Sequence, residues 1–338
     1  MAVDTATVVQ HPMTVGGATI PTAQTFEVIN PSTGAAFATA PHASEADVDS
    51  AVAAAKAAFS AWAATPIEER KAAMLRAHEA LTAHSTELLE LLVKEQGKPM
   101  AAAEMELQLS LDNIKFHATE FTLPVEDLGT NATHKTVILR KPIGVVAGIT
   151  PWNFPIFCAV QKWAPAISCG NSFVLKPSPM TPLTSLRIGE ILKDVFPPGV
   201  FNTITGDDTA PFNVGTHLTV HPDVAKVSFT GSTRTGKKIY EAAGQDLKRV
   251  TLELGGNDPA IVRQDADIPS AAEGIFQAAF ANTGQVCAAI KRVYVHEAVF
   301  DEFVEQVSAR AQKAVTGDGC AAQTRACVPY CADRTCPV

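Results

Sequence analysis

Five short segments carry residue types that could do chemistry, and each follows an apolar or strand-like run. Cys287 stands after a glycine-containing turn in NTGQVCAA. A free cysteine is commonly a small buried hydrophobe, and it becomes a nucleophile where its surroundings favour the thiolate. Glu253 precedes two glycines in LELGGND. It reads either as a general base, if partly buried, or as a strand-end surface carboxylate. Asn153 lies among aromatics and prolines in TPWNFP. An amide held in so rigid a turn can meet a developing oxyanion without reorganising, or it can be a plain turn asparagine. Lys176 opens KPSP, where it meets a ribose or phosphate or is solvated. In FTGSTRTG, Gly231, Ser232 and Gly236 open a helix whose free amides can face a pyrophosphate, or merely cap it. The GxGxxG fingerprint is absent from the chain.

These residues must be positioned by the elements around them. Strand-like runs occupy 143–149, 172–176, 200–205, 226–230 and 249–254, with helical patterns at 156–168, 181–195 and 232–243 between them. Alternation of this length implies βαβ units, a parallel sheet and right-handed crossovers, hence a doubly wound α/β layer. Ligands of such sheets bind at the carboxyl ends of the strands, where four of the five segments fall, while Cys287 comes after a glycine-containing turn and before a strand. Upstream, 44–121 predicts three helices. The second starts at Thr65-Pro66-Ile67-Glu68 as a capping box and ends at Gly97-Lys98-Pro99; Ser44 with Asp47 is a weaker box. Residues 133–141 predict an extended strand that projects as an arm. After Asn257 a second sheet begins with DPAIV, a helix near 268–280, KRVYV and a helix over 298–315.

The 338 residues suffice for two domains, and the hydrophobic fraction of 46% is that of a globular protein. A net charge of −8 argues against nucleic acid and against attachment to an anionic membrane surface. The apolar stretch 143–160 is interrupted by Pro151, Asn153 and Pro155, so it predicts a strand, a turn and a helix start, and no membrane partner. The N-terminus has no signal-peptide pattern, which leaves a cytoplasmic location as the expectation. Cys158, Cys169 and Cys287 are spaced like free thiols, whereas Cys320, Cys327, Cys331 and Cys336 crowd the end. Their C-x6-C-x3-C-x4-C spacing matches no zinc pattern, and no metal is expected.

TPWNFP, KPSP, FTGSTxxG, LELGG and GQVC occur in that order, with Glu253 and Cys287 34 residues apart. NPSTG at 30–34 precedes them and GDG at 317–319 follows. Over about residues 25–319 the chain resembles the NAD(P)-dependent aldehyde dehydrogenase superfamily. The resemblance implies a Rossmann-like domain over 1–250 with an oligomerisation arm at about 123–142. It implies the N-terminal part of an incomplete second α/β catalytic domain over 251–319, and sets 320–338 apart as a non-family, Cys-rich tail. It implies that Cys287 attacks an aldehyde, that Asn153 and the Cys287 amide hold the oxyanion, and that Glu253 activates water against the resulting thioester. Cofactor contacts are implied for Ile149, Thr150, Pro151, Trp152, Lys176, Ser178, Gly231, Ser232, Gly236 and Gly255. The partner is a small-molecule aldehyde, the assembly a homo-oligomer, and the cofactor NAD, with NADP left open because Pro179 stands where many members carry a ribose-binding glutamate. The family's ExFGP segment and its C-terminal oligomerisation strand are absent, so a truncated, impaired fragment that at most binds a dinucleotide is the alternative function. The tail predicts a change of reading frame near residue 319, and the 338-residue chain is expected to turn over poorly. A third reading makes Cys287 a hydrolase nucleophile with a histidine such as His296.

Overall fold

A computed structural model describes residues 9–131, 133–208 and 212–320. The tail cysteines Cys327, Cys331 and Cys336 lie outside the described residues. The described residues open with short strands β1 (Val9–Gln10), β2 (Met13–Val15), β3 (Ala18–Ile20), β4 (Thr25–Asn30) and β5 (Ala35–Pro41). Helices α1 (Glu45–Ala64), α2 (Ile67–Ala83), α3 (Ser85–Gln96) and α4 (Met100–Thr119) follow, then an antiparallel hairpin of β6 (Glu126–Thr130) and β7 (Lys135–Ile138). The alternating part is β8 (Val145–Ile149), α5 (Pro155–Ser168), β9 (Ser172–Lys176), α6 (Leu183–Leu192), β10 (Phe201–Thr203), α7 (Val214–Val220), β11 (Val224–Thr230), α8 (Thr233–Gly244) and β12 (Arg249–Glu253). It ends with β13 (Asp258–Val262), α9 (Ile268–Phe280), β14 (Ile290–Val295) and α10 (Phe300–Lys313).

The main sheet has the order β12-β11-β8-β9-β10-β2-β3. Its first five strands are parallel, and β2 and β3 add an antiparallel edge that the sequence pattern did not reveal. Strands β8 and β9 are buried along their whole length, as a sheet covered on both faces requires. Val146, Phe173 and Leu175 pack into a core with α2 to α6, whereas Val145, Ala147 and Val174 pack into a second core with α1 and α7. The two faces are set by the period-two alternation of side chains. Gly148 leaves room for the Phe173 ring, whose tip would lie 2.2 Å from an added Cβ. A smaller parallel sheet pairs β13 with β14.

The helical region corrects the expectation of three helices. Four lie among the described residues, because the chain breaks at His84 between α2 and α3 without any glycine or proline. Gly97 therefore closes the third helix, at φ 88°, not the second. Thr65 forms no capping box: its hydroxyl donates back to the Ala61 carbonyl, so it finishes α1. Ser44 and Asp47 form the complete reciprocal box instead. Helix α7, also unforeseen, is capped by the Asn213 side chain.

Candidate active site

Register brings the strand ends to one level: Ile149 pairs with Lys176 on one side and Phe229 on the other, and Thr230 pairs with Glu253. Strands β9 and β10 build outward from one side of β8, while β11 and β12 build from the other. A doubly wound sheet opens its ligand crevice where the order reverses, here at the carboxyl end of β8.

The turn that leaves β8 carries Asn153, and buried charges hold it. Lys98 and Glu106 form an ion pair with both side chains fully buried. Lys98 Nζ donates to the Asn153 carbonyl at 2.9 Å and lies 4.1 Å from the centre of the Phe154 ring. One Glu106 carboxylate oxygen accepts from the amides of Ile156 and Phe157, at 2.9 and 3.1 Å. A carboxylate at the first turn of α5 satisfies amides that the helix itself cannot, and it complements the helix dipole. Asn153 Nδ2 donates to the Gln285 carbonyl at 2.7 Å, two residues before Cys287.

The approach to Cys287 is a tight turn in which Asn282, Thr283 and Gly284 have φ of 49°, 59° and 76°. The left-handed region costs roughly 1–2 kcal/mol for an L residue, least for asparagine, so a β-branched threonine there marks real strain. Asn282 helps to hold the turn, donating to the Asn153 carbonyl at 3.3 Å and to the Gln285 carbonyl at 3.4 Å. From the other direction, a Cβ on Gly256 would lie 2.3 Å from the Cys287 carbonyl oxygen. The glycine turn after Glu253 therefore rests directly on the Cys287 backbone. Cys287 and Glu253 are both exposed.

Lys162 was not singled out from the sequence, yet it is buried among these groups. Its ammonium donates to Thr230 Oγ1 at 2.6 Å. Burial pulls its pKa down, while Cys158 and Glu253 push it back up. Burial pushes the Cys158 thiol up to about 12, opposed by Lys162 and reinforced by Glu106 and Cys287. Cys158 is therefore a neutral thiol beside Cys287. Lys162 is the only charged residue in α5, and a charge in so apolar a helix was the signal available.

The remaining sequence-predicted residues divide by role. Ile149 and Thr150 are buried, and Thr150 Oγ1 has no hydrogen-bond partner among the described residues. Pro151 and Trp152 are half-buried at the crevice. Lys176 is 3% exposed and donates to Asp208 at 2.7 Å, which corrects the reading of a solvated lysine. Ser178 Oγ accepts from the Met180 amide. The Gly231 amide is already committed to the Glu253 carbonyl at 3.0 Å, so it is not one of the free amides expected there. Ser232 caps α8, accepting from the Thr235 amide. Gly236 is a packing glycine: an added Cβ would lie 2.5 Å from Leu254. Gly255 faces open space. An orphaned buried hydroxyl and an open glycine at the strand ends leave a polar partner and space for a dinucleotide. His296 does not join the site. It follows β14, whereas Cys287 precedes that strand, about 20 Å away at the rise of an extended chain.

Residues 19–328 match the Aldehyde dehydrogenase family. A probable aldehyde dehydrogenase from Pseudomonas sp is 39% identical over 319 residues, 93% of this chain and 64% of that one. The NADP(+) succinate-semialdehyde dehydrogenase of Escherichia coli is 38% identical over 88% of this chain and 61% of its own length. The crystal structure of an NAD-dependent aldehyde dehydrogenase from Sinorhizobium meliloti superposes with a TM-score of 0.90 at 35% identity, covering 95% of this chain and 65% of that one. This chain thus spans under two-thirds of the length of those relatives. With its fold and its matched span in agreement, the chain belongs to the aldehyde dehydrogenase family.

Proposed function

We propose that this protein oxidises an aldehyde to a carboxylic acid with NAD or NADP, through a covalent adduct on Cys287. The observation that carries the reading is the close approach of Gly256 to the Cys287 carbonyl, which sets the turn that follows Glu253 against the Cys287 backbone. Cys287 Sγ, as the thiolate, adds to the aldehyde carbon. The carbonyl oxygen becomes an oxyanion, met by Asn153 Nδ2, which carries two hydrogens and commits one to Gln285. A bound nicotinamide supplies the acceptor for the hydride that leaves this carbon as the thioester forms. Glu253 then takes a proton from water, the water attacks the thioester, and the acid departs with regeneration of the Cys287 thiolate. Lys162, buried and donating to Thr230, places a positive charge within electrostatic reach of Glu253.

Ile149, Thr150, Pro151 and Trp152 line the crevice at the end of β8, Lys176 and Ser178 the end of β9, and Ser232 the start of α8. Gly231 and Gly236 keep α8 close to the sheet, and Gly255 leaves space beside Glu253. The assembly proposed is a homo-oligomer through the exposed β6–β7 hairpin, with a cytoplasmic location. No helix among the described residues is long and apolar enough to cross a membrane.

A second reading is favoured by the exposure of Cys287 and Glu253, since a water-excluded site is what strengthens such electrostatics. In it the chain binds dinucleotide and forms the adduct, but turns over slowly. Mixing the purified chain with a simple aldehyde and NAD, while following reduced nicotinamide and the intact mass, separates the two. Sustained turnover supports the first reading, and a single stoichiometric burst supports the second. Turnover that survives Cys287→Ala excludes both.

A further inference from the structure

We propose that Asp208, acting with Lys176, accepts the adenosine-ribose hydroxyls of the dinucleotide and selects NAD over NADP. This inference rests on the dinucleotide reading above and names a determinant within it. In a doubly wound sheet the carboxylate that grips the ribose stands at the end of the strand next to the first one. That place is the end of β9 here, and its residues Lys176-Pro177-Ser178-Pro179 contain no carboxylate. The fold supplies one from elsewhere. Asp208, in the loop after β10, meets the Lys176 ammonium at 2.7 Å.

The loop is anchored at this position. The Asp207 amide donates to His42 Nδ1 at 2.9 Å, and a Cβ on Gly206 would lie 2.4 Å from Val214 of α7. Lys176 is almost wholly buried, while the Asp208 side chain is 52% exposed, so the pair presents its acidic member outward. A ribose diol donates to a carboxylate and accepts from an ammonium, and the pair offers both. A 2′-phosphate has no hydrogen to give and carries nearly two negative charges. It would meet the Asp208 carboxylate before a lysine whose charge is already matched, and like charges at contact distance repel.

The test is direct binding of NADH and NADPH to the purified chain, followed by nicotinamide fluorescence, for the unaltered protein, Asp208→Asn and Asp208→Glu. Asparagine still accepts from Lys176, so the buried ammonium keeps a partner and the fold is retained. The unaltered chain is expected to prefer NADH. Asp208→Asn is expected to shift the NADPH-to-NADH affinity ratio towards NADPH by about tenfold, a change of about 1.4 kcal/mol. Asp208→Glu, which restores the charge, is expected to keep the original preference. A ratio unchanged within about twofold in Asp208→Asn overturns the assignment, as does an unaltered chain that prefers NADPH. If the unaltered chain binds neither dinucleotide, the cofactor reading itself falls and this inference falls with it.

Discussion

At the scale of single residues, the thiol and the carboxylate have separable tasks, so their removal should fail at different steps. Glu253→Gln leaves the Cys287 thiolate free to form its adduct but removes the base that activates water. The variant is expected to show one equivalent of reduced nicotinamide and a trapped acyl mass, with steady turnover lowered by about 10²–10⁴-fold. A Glu253→Gln chain that turns over like the parent would show that another group activates the water. The sequence made Cys287, Glu253 and Asn153 visible because each stands at a turn or strand end and each belongs to an ordered series of motifs. It hid Lys162 and Asp208. Lys162 matters because α5 lays it against Thr230, within electrostatic reach of Glu253, and Asp208 because a loop returns to a buried lysine, and both are facts of packing. Packing also gives Gly231 and Gly236, expected beside the phosphates, structural tasks. The amide of one is committed to the Glu253 carbonyl, and the missing Cβ of the other admits Leu254.

At the scale of elements, buried carboxylates do for two central helices what capping side chains do at a surface. Glu106 holds the start of α5, and Glu95 holds the start of α6, accepting from the Leu183 and Thr184 amides and the Thr184 hydroxyl. Burial pushes Glu95 up to about 7 despite those donors, which favour its charged form. In the unfolded chain the group titrates near 4.5. Between these values the folded protein holds a proton that the unfolded chain has lost, so stability falls as pH rises through that window. The fall is of the order of 3 kcal/mol across the window. Urea unfolding at pH 5 and pH 8 should show this loss in the parent, and Glu95→Gln should remove most of the difference. An equal loss in the variant would assign the effect to other groups. Elements with strong local signals were bounded closely by the sequence: SFVLK is β9 to the residue, and Ile268–Phe280 is α9. The division at His84 was illegible because no breaker marks it. It is imposed by the common core into which Leu81 of α2 and Leu88 and Leu92 of α3 all pack.

At the scale of the molecule, stability is distributed unevenly, and Cys287 lies on the boundary. Two large cores flank β8 and β9, whereas the β13–β14 unit has a small one built around Val262, Ile268, Ala272 and Phe303. Ile261 is 76% exposed and Tyr294 54%, so much of the smaller sheet's apolar surface is open to water. Few buried contacts mean a low cost of local opening, because the exchange of an amide reports the cheapest opening that exposes it. Amides of β13 and β14 should therefore exchange at least about 100-fold faster than those of β8 and β9, the equivalent of under 3 kcal/mol. The strained turn at Asn282 to Gly284 leads into the smaller unit, yet it is tied to Asn153 on the larger one. A dinucleotide seated in the crevice would bridge the two units and stabilise whatever conformation it binds. Added NAD should then slow exchange over residues 281–295 while leaving β8 and β9, already protected by both cores, unchanged. Equal protection of the two sheets without ligand would mean that the chain opens only as one cooperative body. In that case the position of Cys287 would be fixed by the whole fold, with no boundary for a ligand to close.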